Sequence, residues 1–338
     1  MVAINARAAI RTQIGGVERL AREMAMRLPA LRPDRYRVIC PPRGLAHRAG
    51  HVWEQAVLPI QAAGAAALYS PANLAPLRHP RNVVVIHDVA ALRHPEAYSR
   101  PFVEYHRRVL PRLVRGALRV ITVSEFSRGD LVEVLGASPE HVAVIPEGVD
   151  ERFLAGPDPA AARTRYGLAG DYALAVGTVS ARKNLGSLGP AARALAASGI
   201  ELVIAGSDRG YLRGADPGLR RLGYVEEELL PGLYAGALAL AMPSGYEGFG
   251  LPCLEAMACG TPVVAASRGA LPETCGDAAL LVDPADADGF AQALIAAATD
   301  EQLRSRLIAA GRSRAQAFTW ARTAARTDEL IGTILHPE

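Results

Sequence analysis

Short apolar runs alternate with stretches of helical periodicity along the 338-residue chain. Val2–Ala6 reads as a buried strand, and Gly15-Gly16 then opens an amphipathic helix with apolar Val17, Leu20, Met24 and Leu28 at helical spacing. Further strands are predicted over Arg37–Cys40, Ala66–Tyr69, Val83–Ile86, Leu118–Val123 and Val142–Ile145, with helices over Phe102–Val114 and Glu125–Leu135. Residues Pro146 to Gly170 break the pattern with Gly148, Gly156, Pro157, Pro159 and Gly167, and read as a linker. The alternation then restarts, with strands over Tyr172–Val176, Glu201–Ala205, Ala237–Met242, Pro262–Ala265 and Ala279–Val282. Helices are predicted over Leu185–Ala197 (interrupted by Gly189-Pro190), Glu226–Tyr234, Leu251–Cys259, Ala287–Ala298, Glu301–Ala317 and Trp320–Leu335. Strands separated by helices predict an α/β protein with parallel sheets covered on both faces. The length fits two such doubly wound domains, and no fixed short repeat points to a solenoid. Ligands of these sheets sit beyond the carboxyl ends of the strands, so a cleft between the domains is the expected site.

With 50% hydrophobic and 21% charged residues, the chain has apolar mass for large cores, which excludes a disordered or fibrous protein. The opening Met1-Val2-Ala3-Ile4-Asn5-Ala6-Arg7 is too short and polar for a signal peptide, so a cytoplasmic location is expected. No charge falls between Glu54 and Arg78, but Pro59, Gln61, Gly64, Pro71, Asn73 and Pro76 make this core and loop rather than a membrane span. Cys40, Cys253, Cys259 and Cys275 form no CxxC pair and read as buried thiols of a reducing compartment.

Charge is unevenly distributed. Residues 1–155 hold 21 Arg against 14 acids, net +7, whereas residues 156–338 are net −4. A basic first half suits an anionic acceptor or a membrane surface, or its arginines simply solvate helices; the excess is too diffuse for nucleic acid. Of 37 basic residues 36 are arginine, and Lys183 is the only lysine. That position is singled out by composition alone.

A phosphate loop of the Gly-Lys-Ser/Thr type is absent, since the one lysine follows Arg182. No GxGxxG follows the first strand, where only Gly15-Gly16 stands. No HExxH occurs, and His47 and His51 lie in a Gly/Pro-rich stretch without a carboxylate partner, so they read as solvated. The informative window is Met242-Pro243-Ser244-Gly245-Tyr246-Glu247-Gly248-Phe249-Gly250-Leu251-Pro252-Cys253-Leu254-Glu255-Ala256. A strand ends at Met242, a glycine-rich loop follows, and a helix begins near Leu251. Backbone N–H groups of Gly248, Phe249, Gly250 and Leu251, with the helix dipole behind them, make an anion site suited to a diphosphate. Glu247 precedes the helix and Glu255 lies one turn inside it, so each is expected to grip hydroxyl groups of a different part of one ligand.

This Glu–seven residues–Glu pattern resembles the retaining glycosyltransferases of family 4, which have the GT-B fold: two Rossmann-like domains facing across a cleft. The likeness runs over almost the whole chain. It includes Gly15-Gly16, Ile86-His87-Asp88, Val123-Ser124-Glu125-Phe126-Ser127 and Ile145-Pro146-Glu147-Gly148-Val149-Asp150. It continues through Val176-Gly177-Thr178-Val179-Ser180-Ala181-Arg182-Lys183-Asn184-Leu185, Val203-Ile204-Ala205-Gly206, Gly223-Tyr224-Val225 and Leu281-Val282-Asp283-Pro284. The resemblance implies an acceptor-side domain over 1–155, a nucleotide-sugar domain over 156–318 and a last helix, 319–338, crossing back to the first. It implies that Arg182 and Lys183 hold the donor diphosphate and that Gly16, beside Gly15, lets the backbone approach it. Glu247 would hold sugar hydroxyls where the acceptor attacks, Glu255 the ribose, His87 the donor sugar and Val225 the base. Thr178, Gly206, Tyr224 and Ser244 belong to the same donor-binding motifs.

The chain departs from the family in places. Thr178 stands where Arg is frequent, and Glu147 where Asn is frequent, which puts a charge near the hinge. Ser207–Leu222, rich in Gly and Arg, matches no motif. Asp286-Ala287-Asp288 looks like the metal-binding DxD of the other glycosyltransferase fold, but reads as the start of a helix capped by Asp286. The expectation is a metal-independent retaining glycosyltransferase without cofactor, using GDP-mannose, or UDP-glucose second, on a saccharide or lipid-linked acceptor at the inner membrane face. Two rivals share these residues: a GT-B sugar-nucleotide 2-epimerase, which would convert donor alone, and a non-catalytic sugar-nucleotide-binding protein, against which intact His87, Lys183 and Glu247 argue.

Overall fold

The computed structural model describes the chain apart from residues 43, 44, 46–49, 208, 217, 337 and 338, so His47 lies outside the described residues. Two compact units emerge: Met1–Leu92 with Glu104–Gly148 and Trp320–Glu338, and Arg93–Val103 with Val149–Thr319.

The first unit holds β1 (Val2–Asn5), β2 (Tyr36–Ile39), β3 (Ala67–Ser70), β4 (Asn82–Val85), β5 (Arg119–Thr122) and β6 (Val142–Val144). They form one sheet in the order β2-β1-β3-β4-β5-β6, every pair parallel. These are the predicted strands with ends shifted by about a residue. Strands β1, β3 and β4 are buried at every position, which is why they read as unbroken apolar runs. Around them lie α1 (Gly16–Leu31), α2 (Arg100–Gly116) and α3 (Glu125–Leu135). Leu20, Met24 and Leu28 of α1 are buried, each contributing about 1.5–3 kcal/mol of transfer free energy.

One helical stretch was not legible in the sequence. Gly50–Val52, Trp53–Val57 and Leu58–Gln61 run on as a helix with a π turn in its middle. Pro59 follows directly on the π turn, at the start of the last piece. His51 therefore stands on a helix, not in a loop, and helical spacing brings its Nδ1 to 3.7 Å from Glu54 Oε2. The reading of His51 as a histidine without a carboxylate neighbour is corrected.

The second unit holds β7 (Tyr172–Val176), β8 (Glu201–Ala205), β9 (Arg220–Gly223), β10 (Leu240–Met242), β11 (Val263–Ala266) and β12 (Leu280–Val282). Their order is β12-β11-β10-β7-β8-β9, again all parallel. Strand β9 was missed because an edge strand that exposes Arg220 and Arg221 carries no apolar run. The helices are α4 (Gly189–Ala197), α5 (Leu230–Ala235), α6 (Leu251–Ala258), α7 (Ala287–Thr299) and α8 (Glu301–Gln316). Gly189-Pro190 does not interrupt a helix but starts one, since proline suits a first turn. Helix α5 begins at Leu230, four residues later than predicted from Glu226. The predicted linker also contains two short helices, Glu151–Leu154, capped by Asp150, and Ala160–Tyr166. Cys253, Cys259 and Cys275 are buried, whereas Cys40, just past the edge strand β2, is exposed, contrary to expectation.

The last helix, α9 (Trp320–Leu335), belongs to the first unit and packs on α1. Asp328 Oδ1 accepts from Tyr36 Oη at 2.7 Å and from Arg35 Nη1 at 2.8 Å, and the Trp320 side chain is fully buried. Among the described residues no helix is long and apolar enough to cross a membrane.

Candidate active site

Strand order reverses once in each sheet, at β1/β3 and at β7/β10, and crevices at such points collect ligands. In the second unit the loops leaving β7 and β10 meet. Lys183 Nζ donates to Glu247 Oε1 at 2.5 Å, and Arg182 Nη1 lies 3.4 Å from Glu247 Oε2. Arg182 Nη1 also donates to Tyr246 O at 3.1 Å, while Gly245 N donates to Arg182 O at 2.9 Å, so the two loops are stitched together. Gly177 sits at φ +151°, and a Cβ there would come within 3.1 Å of Lys183 Cε; the lysine stem needs a glycine beneath it. Behind Glu247, its carbonyl accepts from Ala270 N at 2.9 Å, and a Cβ on Gly269 would stand 2.7 Å from that same oxygen.

Lys183 and Glu247 are both buried. Burial pulls the Lys183 ammonium down against the opposing pull of Glu247. Burial would push Glu247 up, but the charges of Lys183 and Arg182 outweigh it, and the carboxyl is held below its usual range. Glu247 is thus an ionised carboxylate gripped by two cations.

The other predicted donor residues of the second unit lie on the segments that follow β7, β8, β9 and β10. Gly250 precedes α6 at φ +103°, where a Cβ would come within 2.7 Å of Leu271. Glu255, inside α6 and 3% exposed, accepts from Tyr234 Oη at 2.9 Å. Gly206 has a steric reason to be glycine, because a Cβ there would lie 2.0 Å from Gly177 O. Phe249 is buried edge-on against Phe318 at 5.9 Å, a packing contact that the motif alone did not reveal. Ser244 and Val225 are buried, Thr178 and Tyr224 half-buried. Asp286 Oδ1 accepts from Gly289 N at 2.8 Å and caps α7, the role read from the sequence. Among the described residues no group of three or more His, Cys, Asp or Glu could hold a metal ion.

In the first unit Gly15 N donates to the Glu18 carboxylate at 3.0 Å, and Gly16 begins α1. His87 follows β4. Its main-chain N donates to Asn73 Oδ1 at 2.8 Å, its Nε2 lies 3.1 Å from Pro71 O, and its Nδ1 lies 2.9 Å from Glu147 Oε1. Burial lowers the His87 pKa, but Glu147, the Pro71 carbonyl and Asp88 outweigh burial and raise it. Glu147, which the sequence left without a role, is thus the partner of His87; the two stand 60 positions apart in the chain, which no local pattern reports.

The sequence also missed an arm of the second unit. His94 packs edge-on against Tyr246 at 5.1 Å, next to Glu247. Phe102 stacks on Tyr211 at 4.6 Å and on Tyr98 at 5.3 Å, while Ser99 N donates to Tyr211 O and Arg213 N to Ala97 O. Tyr211 and Arg213, inside the motif-free stretch of the sequence, are therefore the seat on which Arg93–Val103 docks.

Comparison with known proteins gives this geometry a family. Residues 57–153 match the model described as Glycosyltransferase Family 4, and residues 170–300 the model described as Glycosyl transferases group 1. The O-antigen chain mannosyltransferase B of Escherichia coli is 33% identical over 276 residues, spanning 77% of this chain and 72% of that protein. Sucrose-phosphate synthase from Thermosynechococcus elongatus superposes with a TM-score of 0.77 at 22% identity, covering 98% of both chains. Anabaena HepE in complex with UDP-glucose gives 0.75 at 22% identity, covering 98% of this chain and 99% of that one. The chain belongs to glycosyltransferase family 4 and is a GT-B glycosyltransferase with a nucleotide-sugar donor.

Proposed function

We propose that this enzyme moves mannose from GDP-mannose to a saccharide or lipid-linked saccharide, with retention of configuration and without a divalent metal. The observation that carries the reading is the Arg182–Lys183–Glu247 cluster at the strand-order reversal of the second unit. Two cations against one carboxylate leave a local positive charge, and the N–H groups at the start of α6 add to it. Fixed charge of this kind stabilises a departing diphosphate as the glycosidic bond breaks. Glu247, ionised and held from behind, accepts from sugar hydroxyls, and Glu255 from ribose hydroxyls. Gly15, Gly16, Thr178, Gly206, Tyr224, Val225, Ser244 and the Gly248–Leu251 turn complete the donor site in this reading.

Mannose is favoured by the likeness to the E. coli mannosyltransferase; UDP-glucose comes second because HepE, of the same fold, is known with it bound. The first unit receives the acceptor, on the cytoplasmic face of a membrane. Val52 and Ile60 are 68% and 75% exposed on the helical stretch, and exposed Arg78 and Arg81 lie nearby in sequence, a pairing suited to anionic lipid. Turnover of GDP-mannose with a lipid-linked saccharide extract, unaffected by EDTA and giving an axial linkage by NMR, is the expected result. Loss of turnover on chelation, restored by Mn²⁺, refutes metal independence; turnover of UDP-glucose alone refutes the donor; failure to sediment with phosphatidylglycerol vesicles refutes the membrane contact.

A further inference from the structure

The ring of His87 has no nitrogen to spare. Nε2 faces the Pro71 carbonyl oxygen at 3.1 Å, and a carbonyl only accepts, so Nε2 carries a proton. Nδ1 faces Glu147 Oε1 at 2.9 Å, and with Nε2–H fixed this contact needs one further proton, on Nδ1 or on the carboxyl. Wherever that proton sits, the pair bears no net charge. His87 is 6% and Glu147 3% exposed, so water screens neither well. The second carboxyl oxygen, Oε2, points at the amino end of the 16-residue α1: a Cβ on Gly16 would meet it at 3.9 Å. An unpaired carboxylate at that position would occupy the favourable end of a helix dipole and repel any other anion there.

We propose that Glu147 is a positioning residue that keeps His87 protonated, so that the pair stays neutral beside Gly15-Gly16 and lets the donor diphosphate approach. The inference rests on the reading of Gly16 as a donor-phosphate contact. The charged groups acting on the ring are Glu147 and Asp88, both acidic, and both favour the imidazolium. The pair therefore remains neutral through the ordinary imidazole value of 6.5 and becomes net negative only above it. Its contribution to folding follows the same sign, full below the ordinary value and lost as pH rises through the raised one.

The test follows the His87 Cε1–H resonance by NMR in the full chain, with GDP-mannose KM and kcat, from about pH 5.5 to 9.5. In the wild type His87 should titrate above its ordinary range, and KM should rise about 5-fold or more through the same interval while kcat changes less. In Glu147→Gln the amide can donate to a neutral ring, so the alkaline rise in KM should vanish and His87 should titrate lower. His87→Asn, which leaves the carboxylate uncompensated, should raise KM at every pH, and serves if Glu147→Gln misfolds. A merely structural Glu147 would lower Tm in Glu147→Gln and leave the KM rise in place, which overturns the proposal. So does a His87 that titrates in its ordinary range, even where GDP-mannose binds well. Failure of both GDP-mannose and UDP-glucose to bind overturns the donor reading and this inference together.

Discussion

Glu147 in the first unit and Glu247 in the second are both carboxylates buried against cationic partners, but the two arrangements differ in kind. In the first unit Glu147 meets a single titratable ring, His87, and the balance is zero. In the second, Glu247 meets Lys183 and Arg182, neither of which releases its proton near neutral pH in ordinary surroundings, and the balance is positive. A carboxylate with a surplus of cations can shape an anion site for as long as both cations keep their protons. A carboxylate with one imidazole can only remove its own charge, and only up to the pH at which the ring lets go. Burial is nearly the same in both, so the partner, not the environment, sets the behaviour.

The sharpest way to break this contrast is Glu247→Gln. With Glu247 holding the reacting sugar, as proposed, the change should lower kcat by about 100-fold or more, while GDP still binds through the freed cations. A comparable loss in GDP affinity, measured by calorimetry, would place Glu247 at the nucleotide instead. Next in size is Lys183→Arg. The lysine stem lies against Gly177, and a planar guanidinium, wider than an ammonium and differently hydrated, would not present its charge at the same point. The expected loss is about 10-fold in kcat/KM, or roughly 1.4 kcal/mol of transition-state stabilisation. Wild-type turnover in Lys183→Arg would make the single lysine an accident of composition. The smallest effect belongs to Tyr234→Phe, which removes a donor from Glu255; GDP affinity should fall about 3-fold with kcat unchanged, as for one neutral hydrogen bond. A change in kcat rather than in affinity would move Glu255 from the ribose to the chemistry.

How much of this was legible depended on whether a residue's role is local. The buried strands were readable because both faces of a parallel sheet are apolar, and Arg182, Lys183 and Glu247 because they sit in short motifs at strand ends. Gly206 was named for the ligand, yet its nearest constraint is the backbone of Gly177, a contact between strand ends that a linear pattern does not display. Glu147 looked anomalous but acquired a role only once folding brought β4 and β6 into one sheet with β5 between them. Tyr211 lay in a stretch without motif because its partners, Tyr98 and Phe102, belong to a segment more than 100 positions earlier.

The division of the chain has a consequence for its synthesis. The first unit needs α9, whose Trp320 is wholly buried and whose Asp328 anchors Tyr36 and Arg35. The second needs Arg93–Val103, which emerges long before the rest of it. Neither unit is a contiguous piece of chain. At about 5–20 residues per second, the ribosome takes on the order of 10–30 s to travel from Gly148 to α9, and for that interval the part of α1 that α9 covers stays open. The nascent protein thus passes through a stage in which its opening half is long finished in sequence but unfinished in structure, a window in which chaperones, or sticky neighbours, compete for the seat that the final helix will take.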